Sequence, residues 1–310
     1  MTPLLRFAPS PNGRLHLGHA FSALLNDAVA RQLGGCWLLR IEDIDVARAT
    51  AANVAGIAED LAWLGLAWPR PPRKQSEHLD EYRAGAERLR RQGLLYPCFC
   101  SRTDIAAAVA AREAADGRPL ARDPDGAPLY PGTCRHLPAD EVASRVASGE
   151  PHALRLNMAA ALAGIVPLSW TSFDPNGGGE ESAVAARPER WGDAVVVRKD
   201  VPTSYHLSVV LDDARQGITH IVRGLDLEAA TDIHAVLAAR LGIPLPRYHH
   251  HRLLTDPAGA KLSKSRSSAS LRDLREAGES AASVRARLGL PSRQRTSRWA
   301  SRFGAAFCMS

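Results

Sequence analysis

Two histidines flank a glycine in His16-Leu17-Gly18-His19, just after an apolar run broken by Pro9, Pro11 and Gly13. His16 to His19 open a helical pattern that continues through Phe21, Leu24, Leu25, Ala28 and Val29. A helix N-terminus offers unpaired N–H groups and a partial positive charge, so it attracts polyphosphate. Gly18 would let a flat base or a ribose approach the backbone, and the imidazoles could donate to phosphate oxygens as charge builds up in a transition state. Alone, the stretch reads as a surface turn at least as well. It gains weight from Lys261-Leu262-Ser263-Lys264-Ser265 far downstream, a serine-rich loop that carries two ammonium groups. A separate set is Cys98-x-Cys100 with Cys134. Three thiols suit tetrahedral Zn²⁺ and leave one ligand to find, for which His136 is the default by chemistry alone.

Elements must carry these residues. Leu4, Leu5 and Phe7 read as a first strand, and 36–41 as a buried strand that ends in Glu42-Asp43-Ile44-Asp45. Active groups of doubly wound sheets gather at the carboxyl ends of strands, so this acidic turn should face the crevice of His16 and His19. Helical spacing follows over 53–66 and again over 79–92, with Gly93 as a stop. Further on, 194–197, the apolar run 205–211 that closes on Asp212-Asp213, and 218–222 leading to Arg223-Gly224 read as strands ending in charge. Residues 231–241 then have helix spacing before Gly242. The expected fold class is α/β, a doubly wound parallel sheet. Its catalytic halves are 1–95 and 186–245, and the insertion 96–185 carries the cysteines and a loop over 174–180. Residues 246–290 hold the lysine loop and a helical end, and 291–310 a basic tail. His249-His250-His251 cannot converge on one ion, because adjacent strand positions alternate faces; the run reads as strand and groove lining.

Lys and Arg outnumber Asp and Glu by 39 to 33, a net charge of +6 that favours a polyanionic partner without proving one. No apolar run approaches the ~18 residues a membrane span needs. The N-terminus lacks the basic-then-apolar pattern of a leader. The expectation is a cytoplasmic protein with no membrane partner, acting as a monomer.

Together, His16-x-Gly18-His19 and Lys261-x-Ser263-Lys264-Ser265 resemble the paired signatures of class I aminoacyl-tRNA synthetases. The stretch from Arg6 to Gly13 and Arg40-Ile41-Glu42-Asp43-Ile44-Asp45 resemble the glutamyl branch, and the likeness covers roughly 3–270. Leu262 stands where methionine is usual, a swap that conserves volume and keeps both lysines. The resemblance implies a Rossmann-type catalytic domain that activates L-glutamate with ATP, accompanied by Mg²⁺. It assigns His16, Gly18, His19, Lys261 and Lys264 to ATP, with His16, His19 and Lys264 catalytic. It assigns Arg6, Phe7, Ala8, Pro9, Ser10, Glu42, Tyr205 and Arg223 to glutamate: two cations for two carboxylates, one anion for the ammonium. Which arginine takes which carboxylate stays open. The resemblance also points to Tyr130 as fourth ligand of a structural Zn²⁺ with Cys98, Cys100 and Cys134, His136 being the alternative. Only 45 residues follow Ser265 in the chain of 310, fewer than the ~100 an anticodon-reading domain needs. The outline therefore resembles the truncated glutamyl-Q tRNA(Asp) synthetases, which attach glutamate to queuosine in the anticodon stem-loop of tRNA(Asp). The alternatives are a glutamyl-tRNA synthetase fragment that charges a tRNA 3′ end, a nucleotidylyltransferase of the same superfold, and a silent RNA-binding paralogue.

Overall fold

The computed structural model describes residues 2–165, 167–175, 180–255 and 269–290. Lys261 and Lys264, the middle of the 174–180 loop and the basic tail lie outside the described residues. The chain runs β1 (Leu4–Phe7), α1 (Leu17–Gln32), β2 (Cys36–Ile41), α2 (Ala51–Trp63), β3 (Arg73–Lys74), α3 (Leu79–Arg91), β4 (Leu95–Cys98), α4 (Arg102–Asp116) and α5 (Ala139–Ala147). It continues with β5 (Ala153–Leu156), α6 (Met158–Leu162), β6 (Ser169–Phe173), β7 (Glu181–Ala185), β8 (Val195–Val197), α7 (Tyr205–Arg215) and β9 (His220–Gly224). Last come α8 (Ala230–Leu241), β10 (Arg247–His251), α9 (Leu271–Glu276) and α10 (Ala281–Arg287).

Strand β2 pairs in parallel with β1 on one side and β3 on the other. Strand β10 pairs in parallel with β9 and β6, and β7 closes that edge antiparallel to β6. The two groups meet at β1 and β9, where the Thr219 amide donates to the Leu4 carbonyl at 2.9 Å and the Leu4 amide to Thr219 Oγ1 at 2.8 Å. Strand order therefore reverses between β1 and β9, the topological switch point at which doubly wound sheets hold their ligands. Helix α1 packs over this junction, with Ala20, Phe21, Ala23 and Leu24 in a core shared with Leu5, Phe7 and Val222.

A second sheet, β4-β5-β8, is antiparallel and stands apart. Strand pairing crosses position 185: β6 and β7 lie on the catalytic sheet, whereas β8 joins β4 and β5. The run 205–211, expected as a strand, is instead the start of helix α7. Short apolar runs do not distinguish strand from buried helix. Here Tyr205, Val209 and Asp213 fall at i, i+4 and i+8, so a helix sets them on one face, and Ser208 Oγ donates to the Ser204 carbonyl at 3.0 Å. Helix α8 ends as expected on Gly242, in the left-handed conformation (φ 63°) that favours glycine.

Candidate active site

Helix α1 begins with its own histidines. His16 is the N-cap, in extended conformation, and its Nδ1 accepts from the Gly18 amide at 3.0 Å. His19 Nδ1 accepts from the His16 amide at 3.2 Å. Two amide groups of the first turn are thus satisfied by imidazoles in place of the usual Ser or Asp. An Nδ1 that accepts carries no proton, so each ring holds its proton on Nε2 as a donor. The rings lie 3.9 Å apart between centroids. Gly18 has a more specific reason to be glycine than ligand approach alone. A Cβ there would sit 2.9 Å from His16 Cε1 and 3.1 Å from its Nδ1, so the capping ring needs the space.

A cleft of about 670 Å³ opens at the switch point. It brings together Arg6, Phe7, Ala8, Pro9 and Ser10 after β1, His16, Gly18 and His19 on α1, Glu42 after β2, Tyr205 on α7 and Arg223 on β9. Every site residue expected for ATP or glutamate that lies within the described residues lines this one cleft. His251 lines it too, at the end of β10. Its ring meets Phe21 edge-on at 5.1 Å, and the neighbouring Arg252 guanidinium sits 5.2 Å over Phe21.

Beneath the cleft lies a charged network with little trace in the sequence. Asp213 accepts from Arg6 Nε at 3.1 Å and from Arg40 Nη1 at 2.7 Å. Arg40, fully buried, also reaches Glu42 at 3.3 Å. Asp212 accepts from Arg73 at 2.8 Å, Gln75 at 2.7 Å and Tyr82 at 3.0 Å. Burial pushes the Asp213 carboxyl up, but Arg40 and Arg6 outweigh it and hold it below its ordinary value. Burial likewise pushes Glu42 up, and there it outweighs Arg40 and Arg6, leaving Glu42 above its ordinary value. In the sequence Arg40 is a charge inside a buried strand run, which is itself a signal, since a buried guanidinium must be paired.

Arg223 differs. It is 4% exposed, and its described partners are neutral: Thr231 Oγ1 at 2.7 Å, and Tyr205 Oη, His234 Nδ1 and His250 Nε2, each at 3.4 Å. No carboxylate among the described residues lies within ion-pair distance of it. Burial, and then the Arg223 charge, push the neighbouring histidines down: His234 well below its ordinary value, His206, 3.3 Å from His234, to about 4, and His250 to about 3. They stay neutral in the fold where the unfolded chain takes up protons near pH 6.5. Stability contributed this way is present above about pH 6.5 and is lost as pH falls toward 4. The thermal midpoint should drop over that interval, and His206→Gln should flatten the drop. A midpoint unchanged between pH 7 and 4.5 would refute this.

The thiols of Cys98, Cys100 and Cys134 lie within 4.8 Å of one another. Tyr130 Oη is 3.3 Å from Cys98 Sγ and 3.6 Å from Cys100 Sγ. His136 is exposed, accepts from Arg135 and is not among the converging groups. The Cys134 amide donates to Tyr130 Oη at 2.9 Å, and the Arg155 guanidinium lies 3.8 Å over the Tyr130 ring. Three sulfurs and one oxygen converging in a small core form a donor set that could hold a metal ion.

The family model of the class I tRNA synthetases (E and Q), catalytic domain, matches residues 4–294. A Rhodobacter capsulatus protein named glutamyl-Q tRNA(Asp) synthetase is 46% identical over 292 residues, 93% of this chain and 100% of that protein. Glutamate–tRNA ligase 2 of Nitrosococcus oceani is 38% identical over 92% of this chain and 58% of its own. Among solved structures, a glutamate tRNA ligase from Elizabethkingia meningosepticum, in complex with its amino acid, superposes with a TM-score of 0.67. It is 28% identical and covers 90% of this chain and 54% of that one. No helix among the described residues is long and apolar enough to cross a membrane.

Proposed function

The chain belongs to the class I tRNA synthetases of the E and Q branch, and from that premise we propose that it activates L-glutamate with ATP and transfers it to the queuosine base of tRNA(Asp). The observation that carries the amino-acid assignment is Arg223, a buried cation whose described partners are all neutral. A charge so placed costs free energy unless a ligand anion completes it. Arg6 supplies the second cation. Its Nε is engaged by Asp213, and the residue lines the cleft. Glu42 takes the ammonium, and Tyr205 and Ser10 add hydrogen bonds.

The α-carboxylate oxygen of glutamate attacks the α-phosphorus of ATP in line. Its bond to phosphorus forms as the bond to the bridging oxygen breaks, and pyrophosphate leaves. The reaction asks for alignment and charge stabilisation more than for proton transfer. The Nε2–H groups of His16 and His19 donate to the phosphates. Lys264, with Lys261 in support, stabilises the charge of the leaving pyrophosphate, and Mg²⁺ would accompany the nucleotide. The queuosine base then attacks the adenylate carbonyl and releases AMP. Cys98, Cys100, Cys134 and Tyr130 hold one Zn²⁺, which has a structural role. The enzyme works in the cytoplasm as a monomer.

Support for the RNA acceptor comes from the match along the full length of the Rhodobacter capsulatus relative and from its name. The test uses ATP, labelled glutamate and three RNA pools: tRNA(Glu), tRNA(Asp), and tRNA(Asp) from cells unable to make queuosine. Label should enter only the queuosine-bearing pool, pyrophosphate exchange should proceed without RNA, and transfer should weaken with salt. Labelling of tRNA(Glu), or equal labelling of both tRNA(Asp) pools, would return the chain to 3′-end charging.

A further inference from the structure

Helix α1 carries the groups that face the phosphates, and strand β9 carries the arginine that faces the amino acid. A buried polar side chain joins them. Asn26 is wholly buried, and its Nδ2 donates to the Ser22 carbonyl at 2.9 Å and to the Val222 carbonyl at 3.0 Å. Ser22 lines the cleft one turn after His19, and Val222 lines it next to Arg223. One amide hydrogen thus returns to its own helix, and the other links segments 196 positions apart in the chain.

The other end of the side chain is unfavourable. Asn26 Oδ1 is buried with no hydrogen-bond partner, which costs on the order of 1–3 kcal/mol. The junction belongs to an apolar core that includes Ala23, Leu24, Val29, Ala30 and Val222. A leucine would fill a similar volume without the orphaned oxygen, so packing does not explain an asparagine here. What leucine lacks is the donor that pins α1 at one height against β9.

We infer that Asn26 is a positioning residue that fixes the distance between the phosphate pole and the carboxylate pole of the site. It touches neither ligand. Two ligands bound separately each settle into their own pole and tolerate a shift of α1 along β9. Attack on the α-phosphorus tolerates little, because reacting atoms must be held near 3–3.5 Å, and a misplacement of about 1 Å can cost roughly a hundredfold in rate.

The inference rests on the glutamate-activation reading, and the test separates the two. Wild-type protein and Asn26→Leu are titrated with glutamate, with ATP and with glutamyl-sulfamoyl-adenosine, a stable mimic of the adenylate that spans both poles. Separate affinities for glutamate and ATP should stay within about twofold, while the mimic weakens about tenfold or more and the exchange kcat falls by a similar factor. A loss shared by all three ligands would mark Asn26 as structural only. Unchanged binding of the mimic with unchanged kcat would overturn the inference outright. Asn26→Ser keeps one donor and should lie between; with it, the comparison stands even where the leucine variant folds poorly. Wild-type protein that binds neither glutamate nor the mimic would instead remove the activation reading.

Discussion

Arg223→Gln is expected to abolish glutamate-dependent pyrophosphate exchange without weakening the unliganded fold. The loss follows from burial: truncating one partner of a desolvated charge pair costs about 2–5 kcal/mol, a drop of roughly 30- to several thousand-fold in kcat/KM. It should appear in the glutamate term and leave ATP binding nearly unchanged, since the phosphate pole sits on another element. The second half is less usual. Unliganded Arg223 is a guanidinium among hydroxyls and neutral rings, so replacing it with a neutral amide removes desolvation cost. The thermal midpoint should stay level or rise, and glutamate should then stabilise the variant much less than the wild type. Exchange within tenfold of wild type would move the carboxylate site elsewhere. A large fall in midpoint without ligand would mean that Arg223 holds the core together.

The frame of this site could be read from the chain because its parts are local. His16, Gly18 and His19 are contiguous, and the turn after Ile41 announces itself by acidity at the end of an apolar run. What could not be read is how charges are shared across the sheet. Arg6 and Glu42 look alike in sequence, each a charged residue near a strand end. In the fold Arg6 is held by Asp213, and Glu42 is tied through Arg40 to the same carboxylate. Asp213 comes from a helix more than 160 residues later, on a stretch whose apolar run passes equally for strand or helix. Only on a helix does the i, i+8 spacing of Tyr205 and Asp213 bring both to one face, about 12 Å apart along the axis. Asn26 was less visible still. An asparagine in an amphipathic helix reads as solvated, and only the carbonyl of Val222 shows that it is not.

Metal removal should separate the two reactions of this chain. The segment between α4 and α5 contains no helix or strand beyond one bridge, Arg122 with Pro128. Its tertiary anchor is the cluster of Cys98, Phe99 and Cys134 with Tyr130 and Leu137. A structural Zn²⁺ held there would add to so small a core; in zinc-finger peptides such binding supplies about 10–16 kcal/mol. Burial and the neighbouring thiols push the Tyr130 phenol up, so a cation among the four groups is what would ionise it. Cys134→Ser should therefore lower zinc from about one per chain to near zero and open 117–137 to protease. Yet no residue between 96 and 137 lines the cleft at the switch point. Exchange should accordingly fall only a few-fold, while transfer to RNA, which needs a surface beyond the cleft, should be lost. Metal analysis, limited proteolysis and the two assays on one preparation check all three points. Exchange lost in step with zinc would tie the metal to activation, and zinc retained by the variant would remove Cys134 from the ligand set.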